Sequence, residues 1–304
     1  MRAPAEPGMP KKNTNRPEKG FAGGVNETNL KPIAGALFTN EFVNANMMIM
    51  GAWEWILIAL GAWVIVAWTA SWLLRNPRGE VLYGILRIFA WVYAKLVHRV
   101  QFLGTENIPE RRIDADTGQR AGPGLVVIAN HTAGVDPILI QLAMREYDVR
   151  WVMTSEMRVR VLDIFWDWLR IIFVSAGGSE LGAVKEMIRH VKSGGSLGIF
   201  PEGRIARPPG TLCPFAPGIG MVIAKSNAPI LPVLITGTPA AKTAWASLFV
   251  PSLARVKFLP VIDPAGRKGD ALVAELQSLF ERELGVKAAL QADAVEPSAL
   301  AVAA

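Results

Sequence analysis

Residues 125–137, LVVIANHTAGVDP, constrain this chain more than any other stretch. Five consecutive apolar residues, with Pro123 and Gly124 before them and Asn130 after, read as a strand buried on both faces, which belongs in a parallel sheet covered by helices. Asp136 then precedes Pro137, and Ile138, Leu139, Leu142 and Ala143 recur at helical spacing, so the strand is predicted to turn directly into a helix N-terminus. That turn carries His131 and Asp136. A carboxylate five residues on, across a tight turn, can fold back to accept a proton from one imidazole nitrogen. This fixes the tautomer and leaves the other nitrogen as a base. No nucleophile accompanies the pair, since Ser155 and the lone Cys213 are distant and sit in no nucleophile motif. The activated nucleophile is therefore expected to be a hydroxyl of the substrate.

A chain of 304 residues has room for one large α/β domain plus extras. Its hydrophobic content of 51% and positive mean hydropathy are high for a purely soluble protein, and 32 basic against 26 acidic residues give a net charge of +6. This balance favours an anionic membrane surface or phosphorylated substrates over nucleic acid, because no basic stretch is interleaved with stacking aromatics. One cysteine excludes an internal disulfide, and three histidines without a Cys or His cluster predict no dedicated metal site.

Along the chain, residues 1–46 are rich in Pro, Gly, Asn and Lys without sustained periodicity, and a mobile tail is expected there. Residues 47–99 are expected to hold a membrane helix and an interfacial one. The run 56–74 has no charge, and Trp53, Trp55 and Trp72 lie near its ends where amphipathic rings prefer the interfaces. A spanning helix fits the pattern; a buried helix or a re-entrant hairpin is the alternative. Arg75, Arg78, Arg87 and Lys95 follow the run while Lys31 alone stands near it upstream, so the positive-inside rule turns the following domain toward the cytoplasm. Residues 81–100 read as an amphipathic helix lying in the headgroup layer or packed on the domain, with His98 on its basic face.

A catalytic domain is expected over residues 100–286 and a second tail over 287–304. Within it, Asp114 and Asp116 fall in a polar loop and are read as solvated. Strands are predicted at 149–154, 171–175, 197–200 and 230–236, with an edge strand at 255–262; helices are predicted around Met157 to Leu169 and at 180–192, 218–226 and 270–284. Trp166 and Trp168 are read as core or as the lining of a lipid entrance. Residues 194–198 spell GxSxG, but with helix before and strand after, the reverse of a nucleophile elbow, so Ser196 is given no chemistry. Residues 200–207, FPEGRIAR, leave a strand end for a Pro/Gly loop, where open α/β sheets place ligands. There Glu202 is expected to bind a substrate hydroxyl, orient a cation or pair with Arg204. Gly203 would permit close backbone approach, and Arg204 and Arg207 would supply positive charge for phosphate.

Asn130, His131 and Asp136 match the pattern NHxxxxD, and Phe200 to Gly203 match FPEG about seventy residues later, in an order that resembles the glycerolipid and lysophospholipid acyltransferase family. FLGTENIP at 102–109 and ILPVLITG at 230–237 extend the resemblance over roughly residues 100–262. It implies a mixed, mostly parallel sheet flanked by helices with an N-terminal membrane helix. It also implies transfer of a fatty acyl chain from acyl-CoA or acyl carrier protein to a lysoglycerophospholipid, without a cofactor. His131 and Asp136 would be catalytic; Asn130, Glu202, Gly203, Arg204 and Arg207 would contact substrate. In phosphatidate-forming members a GxxFIxR motif ends in a phosphate-holding arginine, whereas here RIIFVSA places Ala176 at that position, leaving Arg170 as the substitute. The wording FPEGRI resembles the branch that acylates lysophosphatidylethanolamine-type lipids. A CoA-independent transacylase and a non-catalytic lipid-binding scaffold are the remaining readings.

Overall fold

The computed structural model describes residues 51–111, 124–175 and 181–288. The tail expected over 1–46, most of that over 287–304, Asp114, Asp116 and Ala176 lie outside the described residues. The chain divides into two compact units, residues 1–67 and 68–304.

Helix α1, Ala52–Leu74, crosses the boundary between them. Its stretch Trp53–Leu74 has a mean hydropathy of 2.0, and among the described residues it is the one helix long and apolar enough to cross a membrane. It stops where Asn76 folds its amide back to the Leu73 carbonyl at 2.8 Å, satisfying one orphan acceptor, and Pro77 prevents continuation. Helix α2, Val81–Leu96, follows. It is shorter than predicted, because Arg99 adopts a left-handed φ of 42° and the chain then pairs as strand β1, Gln101–Leu103.

The remaining elements are β2 (Leu125–Ala129), α3 (Asp136–Ala143), β3 (Val149–Thr154), α4 (Asp163–Leu169), β4 (Ile172–Val174), α5 (Leu181–Lys192), β5 (Ser196–Ile199), α6 (Gly218–Ser226), β6 (Ile230–Thr236), β7 (Arg255–Phe258) and α7 (Gly269–Leu284). The strands form one seven-stranded sheet in the order β1-β7-β6-β2-β5-β3-β4. Neighbours are parallel except for β6 and β7, so β1 and β7 run against the other five. The predicted edge strand at 255–262 is thus an inner one, with β1 outside it. The mixed, mostly parallel sheet flanked by helices agrees with the sequence-based expectation.

Strand β2 sits mid-sheet, and its alternation explains why every residue is apolar. Leu125, Val127 and Ala129 join the core on one face with Leu139 and Ile140 of α3 and Ala94 of α2. Val126 and Ile128 join the other with Met187 of α5, Ile223 of α6 and Leu276 of α7. Burying each large aliphatic chain stabilises the fold by roughly 1.5–3 kcal/mol. Gly124 is required at the strand start, where a Cβ would lie 1.6 Å from the Gly195 carbonyl oxygen. The consequence for function is positional: β2, β3, β5 and β6 all deliver their C-terminal ends to one edge of the sheet.

Candidate active site

His131 lies two residues past β2 on that edge, and Asp136 opens α3 facing it. His131 Nδ1 stands 2.9 Å from Asp136 Oδ2. The same carboxylate oxygen accepts the backbone N–H groups of Thr132 at 2.7 Å and Ala133 at 2.8 Å, and the Thr132 hydroxyl donates to Oδ1 at 3.1 Å. Asp136 is fully buried, so these bonds and the helix N-terminus take the place of its hydration. A carboxylate surrounded by donors makes His131 Nδ1 a donor as well, which leaves Nε2 as the basic nitrogen. No protein partner occupies Nε2 among the described residues.

Three further contacts hold the histidine. Its N–H donates to Glu202 Oε1 at 2.7 Å, its carbonyl accepts the Ala206 N–H at 2.8 Å, and its ring stacks on Phe200 with centroids 4.2 Å apart. Phe200 in turn stacks on Trp151 of β3 at 5.2 Å. Gly198 makes room for this ladder, since a Cβ there would come within 2.5 Å of the Trp151 ring. Gly195 similarly clears space for the His190 ring. Packing thus accounts for Gly195 and Gly198, and Ser196 is buried at the N-terminal end of β5, away from His131.

The expected substrate-binding residues divide sharply. Asn130 is buried and uses its amide as a peptide mimic: Nδ2 donates to the Ile235 carbonyl at 2.9 Å and Oδ1 accepts the Ile235 N–H at 2.7 Å, tying the end of β2 to β6. Glu202 pairs with backbone instead of Arg204. Its Oε1 holds His131, and Oε2 accepts the Cys213 N–H at 2.6 Å. Burial pushes the Glu202 carboxyl above its usual range, and the two N–H bonds oppose that shift. Arg207 spans three carbonyls, those of Thr132, Ala206 and Ala241 at 3.2, 3.0 and 2.9 Å. Gly203 has φ +65° and donates its N–H to Phe200 at 3.1 Å, so that N–H serves the turn and not a ligand. Arg204 alone of the loop's cations is exposed, and its side chain forms no hydrogen bond or ion pair among the described residues.

Arg170 is a correction to the sequence reading. It precedes β4 and turns toward Asp148, which precedes β3, with Nη1 3.5 Å from Oδ2. Both residues enter their strands at the edge opposite His131, so Arg170 cannot reach the catalytic turn. Asp148 also binds Arg78 at 2.9 Å, in a pair buried under Tyr83 and Trp168. His98 is a second correction. It is wholly buried, not on a basic face, between the Tyr93 hydroxyl at 2.7 Å and the Ser252 hydroxyl at 2.8 Å. Burial lowers its pKa, with the charge of Asp136 opposing. Trp166 and Trp168 are anchored through their indole N–H groups to the Val159 carbonyl and to Glu80.

Cys213 is no nucleophile, because burial first and the Glu202 charge second push its thiol up to about 11. Among the described residues no His, Cys, Asp and Glu cluster could hold a metal ion. A shallow depression of ≈ 570 Å³ lined by Lys185, Arg189 and Lys192 lies on α5, in the layer opposite His131. Sequence reasoning missed Phe200 as a support for His131, and also Trp151, Thr132 and Thr238, whose hydroxyl donates to that of Thr132 at 2.6 Å. The signal available for the first two was the small residue at 198 beside an aromatic at 200.

Residues 99–236 match the family described as Acyltransferase. The 1-acyl-sn-glycerol-3-phosphate acyltransferase of Borreliella burgdorferi is 29% identical over 141 residues, covering 44% of this chain and 50% of that protein. The chain thus aligns with half the length of this curated relative. The crystal structure of the 1-acyl-sn-glycerophosphate (LPA) acyltransferase PlsC from Thermotoga maritima shares the fold, with a TM-score of 0.54 at 22% identity over 84% of this chain and 91% of that one.

Proposed function

We propose that this chain, whose residues 99–236 match the Acyltransferase family, esterifies a hydroxyl of a lysoglycerophospholipid with a fatty acyl chain taken from a thioester. The observation that carries this reading is the His131–Asp136 pair at 2.9 Å, with the carboxylate buried among donors and Nε2 bonded to no group among the described residues. Nε2 takes the acceptor hydroxyl proton as the oxygen attacks the thioester carbon. The tetrahedral intermediate collapses with loss of the thiolate, which recovers that proton from the imidazolium. An ester and a thiol result, and no covalent enzyme intermediate forms. General base catalysis of this kind supplies ~100 to 10,000-fold in rate, and positioning contributes further.

The favoured acceptor is 1-acylglycerol-3-phosphate, the compound for which the Borreliella relative is named. Arg204 is the loop cation available to its phosphate. Ala176 at the position of the family's phosphate-holding arginine favours a lysophosphatidylethanolamine-type acceptor as the second reading. The donor is acyl-CoA or acyl carrier protein, and the membrane is the source of acceptor, consistent with the composition of α1. In this reading the domain faces the cytoplasm, on the side of Arg75, Arg78, Arg87 and Lys95. The test is transfer of a labelled acyl chain, offered on either carrier or in intact phospholipid, to a panel of lyso-lipids. Labelled phosphatidate formed from a thioester supports the first acceptor; transfer from intact phospholipid alone would replace this reading with a transacylase; no transfer to any acceptor would leave a lipid-binding scaffold.

A further inference from the structure

Apolar residues at the start of α4 and in the turn before it face outward, while Trp166 points inward. Val161, just before α4, and Ile164 in its first turn are 87% and 89% exposed. Phe249, Val250 and Leu253, in the loop after β6, are also exposed, Phe249 at 82%. Ring and backbone contacts join these two segments to α2. Phe165 stacks on Trp168, which meets Tyr83 at the start of α2, while Trp166 meets Trp245 at 6.1 Å. At the other end of α2, Tyr93 donates to the Leu248 carbonyl and Val97 accepts the Ser252 N–H at 3.0 Å. The outward side of α2 between these ends is apolar too, with Phe89 and Leu96 exposed at 68% and 73%. Soluble monomers rarely leave so many large apolar side chains uncovered in linked elements.

The surroundings identify the covering phase as lipid. The chain enters α2 from α1, whose apolar stretch is unburied along its length. Arg160, next to Val161, and Arg99, next to the segment that bonds Ser252 and Ala254, are exposed cations whose side chains bond no group among the described residues. An apolar face bordered by exposed cations suits the headgroup and acyl boundary of an anionic bilayer. The same segments are attached to the catalytic turn. Gly134 donates to Ser247 at 3.0 Å, Thr238 to Thr132 at 2.6 Å, and Arg207 to Ala241, all within residues 237–254 on the loop side. Residues 155–162, which lead into α4, leave the same C-terminal edge of the sheet as His131.

We propose that Val161, Ile164 and Phe165 together with Phe249, Val250 and Leu253 form a bilayer-inserting rim, separate from α1. This rim lays the His131 edge of the sheet against the membrane, so that an acceptor lipid approaches without leaving it. The inference rests on the acyltransferase reading only for the nature of the lipid that enters.

The experiment uses the full chain in nanodiscs of phosphatidylethanolamine and phosphatidylglycerol, with single reporter cysteines in Ile164→Cys and Phe249→Cys carrying an environment-sensitive fluorophore; native Cys213 is buried and does not label. Both reporters should shift to the blue and be quenched by lipid-borne quenchers as strongly as Phe89→Cys, whereas Lys185→Cys on α5 should show neither change. Reporters 164 and 249 remaining open to aqueous iodide while Phe89→Cys senses lipid would overturn the proposal, as would shielding that appears only with rising protein concentration in detergent. These readouts do not depend on turnover. Ile164→Asp combined with Phe249→Asp should raise KM for a long-chain acceptor in bilayers and leave kcat/KM for a short-chain soluble acceptor unchanged; equal losses on both would contradict the rim.

Discussion

Glu202 meets His131 at the backbone: Oε1 accepts the His131 N–H at 2.7 Å while Oε2 accepts that of Cys213 at 2.6 Å. The carboxylate is a strut between two loops, with both oxygens facing donors. An amide has one acceptor and would turn its NH₂ toward the second N–H. Glu202→Gln is therefore expected to lower stability by about 1–3 kcal/mol, the penalty for a buried donor left unpaired. It should lower kcat through loss of His131 placement while leaving acceptor KM nearly constant. Chemical denaturation and steady-state kinetics check both effects; a selective rise in KM would make Glu202 a substrate ligand.

Asp136→Asn preserves size and alters the proton pattern. The amide's single oxygen can face either the three N–H groups that now converge on Oδ2 or the Thr132 hydroxyl at Oδ1, and with its NH₂ turned toward Nδ1 the tautomer that protonates Nε2 is favoured. Transfer should fall by roughly 100 to 10,000-fold, with the acceptor KM little changed. The ratio of kcat between variant and wild type measures this directly.

Arg204 and Arg207 lie three residues apart and should respond oppositely. Arg207→Gln removes bonds to the Thr132, Ala206 and Ala241 carbonyls and should lower the melting temperature. Arg204→Gln, at an exposed site, should leave melting unchanged and raise KM for an acceptor bearing a phosphate monoester. Thermal scans with acceptor titrations of the two variants separate structural from binding roles.

Much of this was legible in the sequence because local chemistry decided it. The unbroken apolar run of β2 required a two-sided core, and the five-residue spacing of His131 and Asp136 required only one turn to close. Asn130, Glu202 and Arg207 were recognisable as polar residues near the site, but their partners are backbone groups of Ile235, Cys213 and Ala241, and a one-dimensional pattern does not display backbone groups. Arg170 was misplaced because its distance along the chain concealed that it precedes β4 at the far edge. The burial of His98 depends on Ser252, 154 residues away. The sequence predicted a helix around Met157 to Leu169 without displaying that Val161 and Ile164 face outward while Trp166 is buried.

His98 gives the stability a pH dependence of known sign. Burial holds its folded pKa below the ordinary 6.5, so the unfolded chain binds more protons once the pH falls under that value. The stability associated with the neutral buried ring is complete above about pH 6.5 and is lost as the pH falls toward the folded pKa. Denaturation midpoints between about pH 5 and pH 8 should decline on the acid side in the wild type, and the decline should be shallower in His98→Asn, which is less stable throughout.

The central claim is that Nε2 of His131 removes the acceptor proton. Single-turnover transfer from a labelled acyl thioester to 1-acylglycerol-3-phosphate by purified His131→Ala, with its melting curve recorded alongside, tests this most directly. A wild-type-like fold and a chemical step slowed by at least ~100-fold are expected; transfer at the wild-type rate by the correctly folded variant would remove His131 as the base.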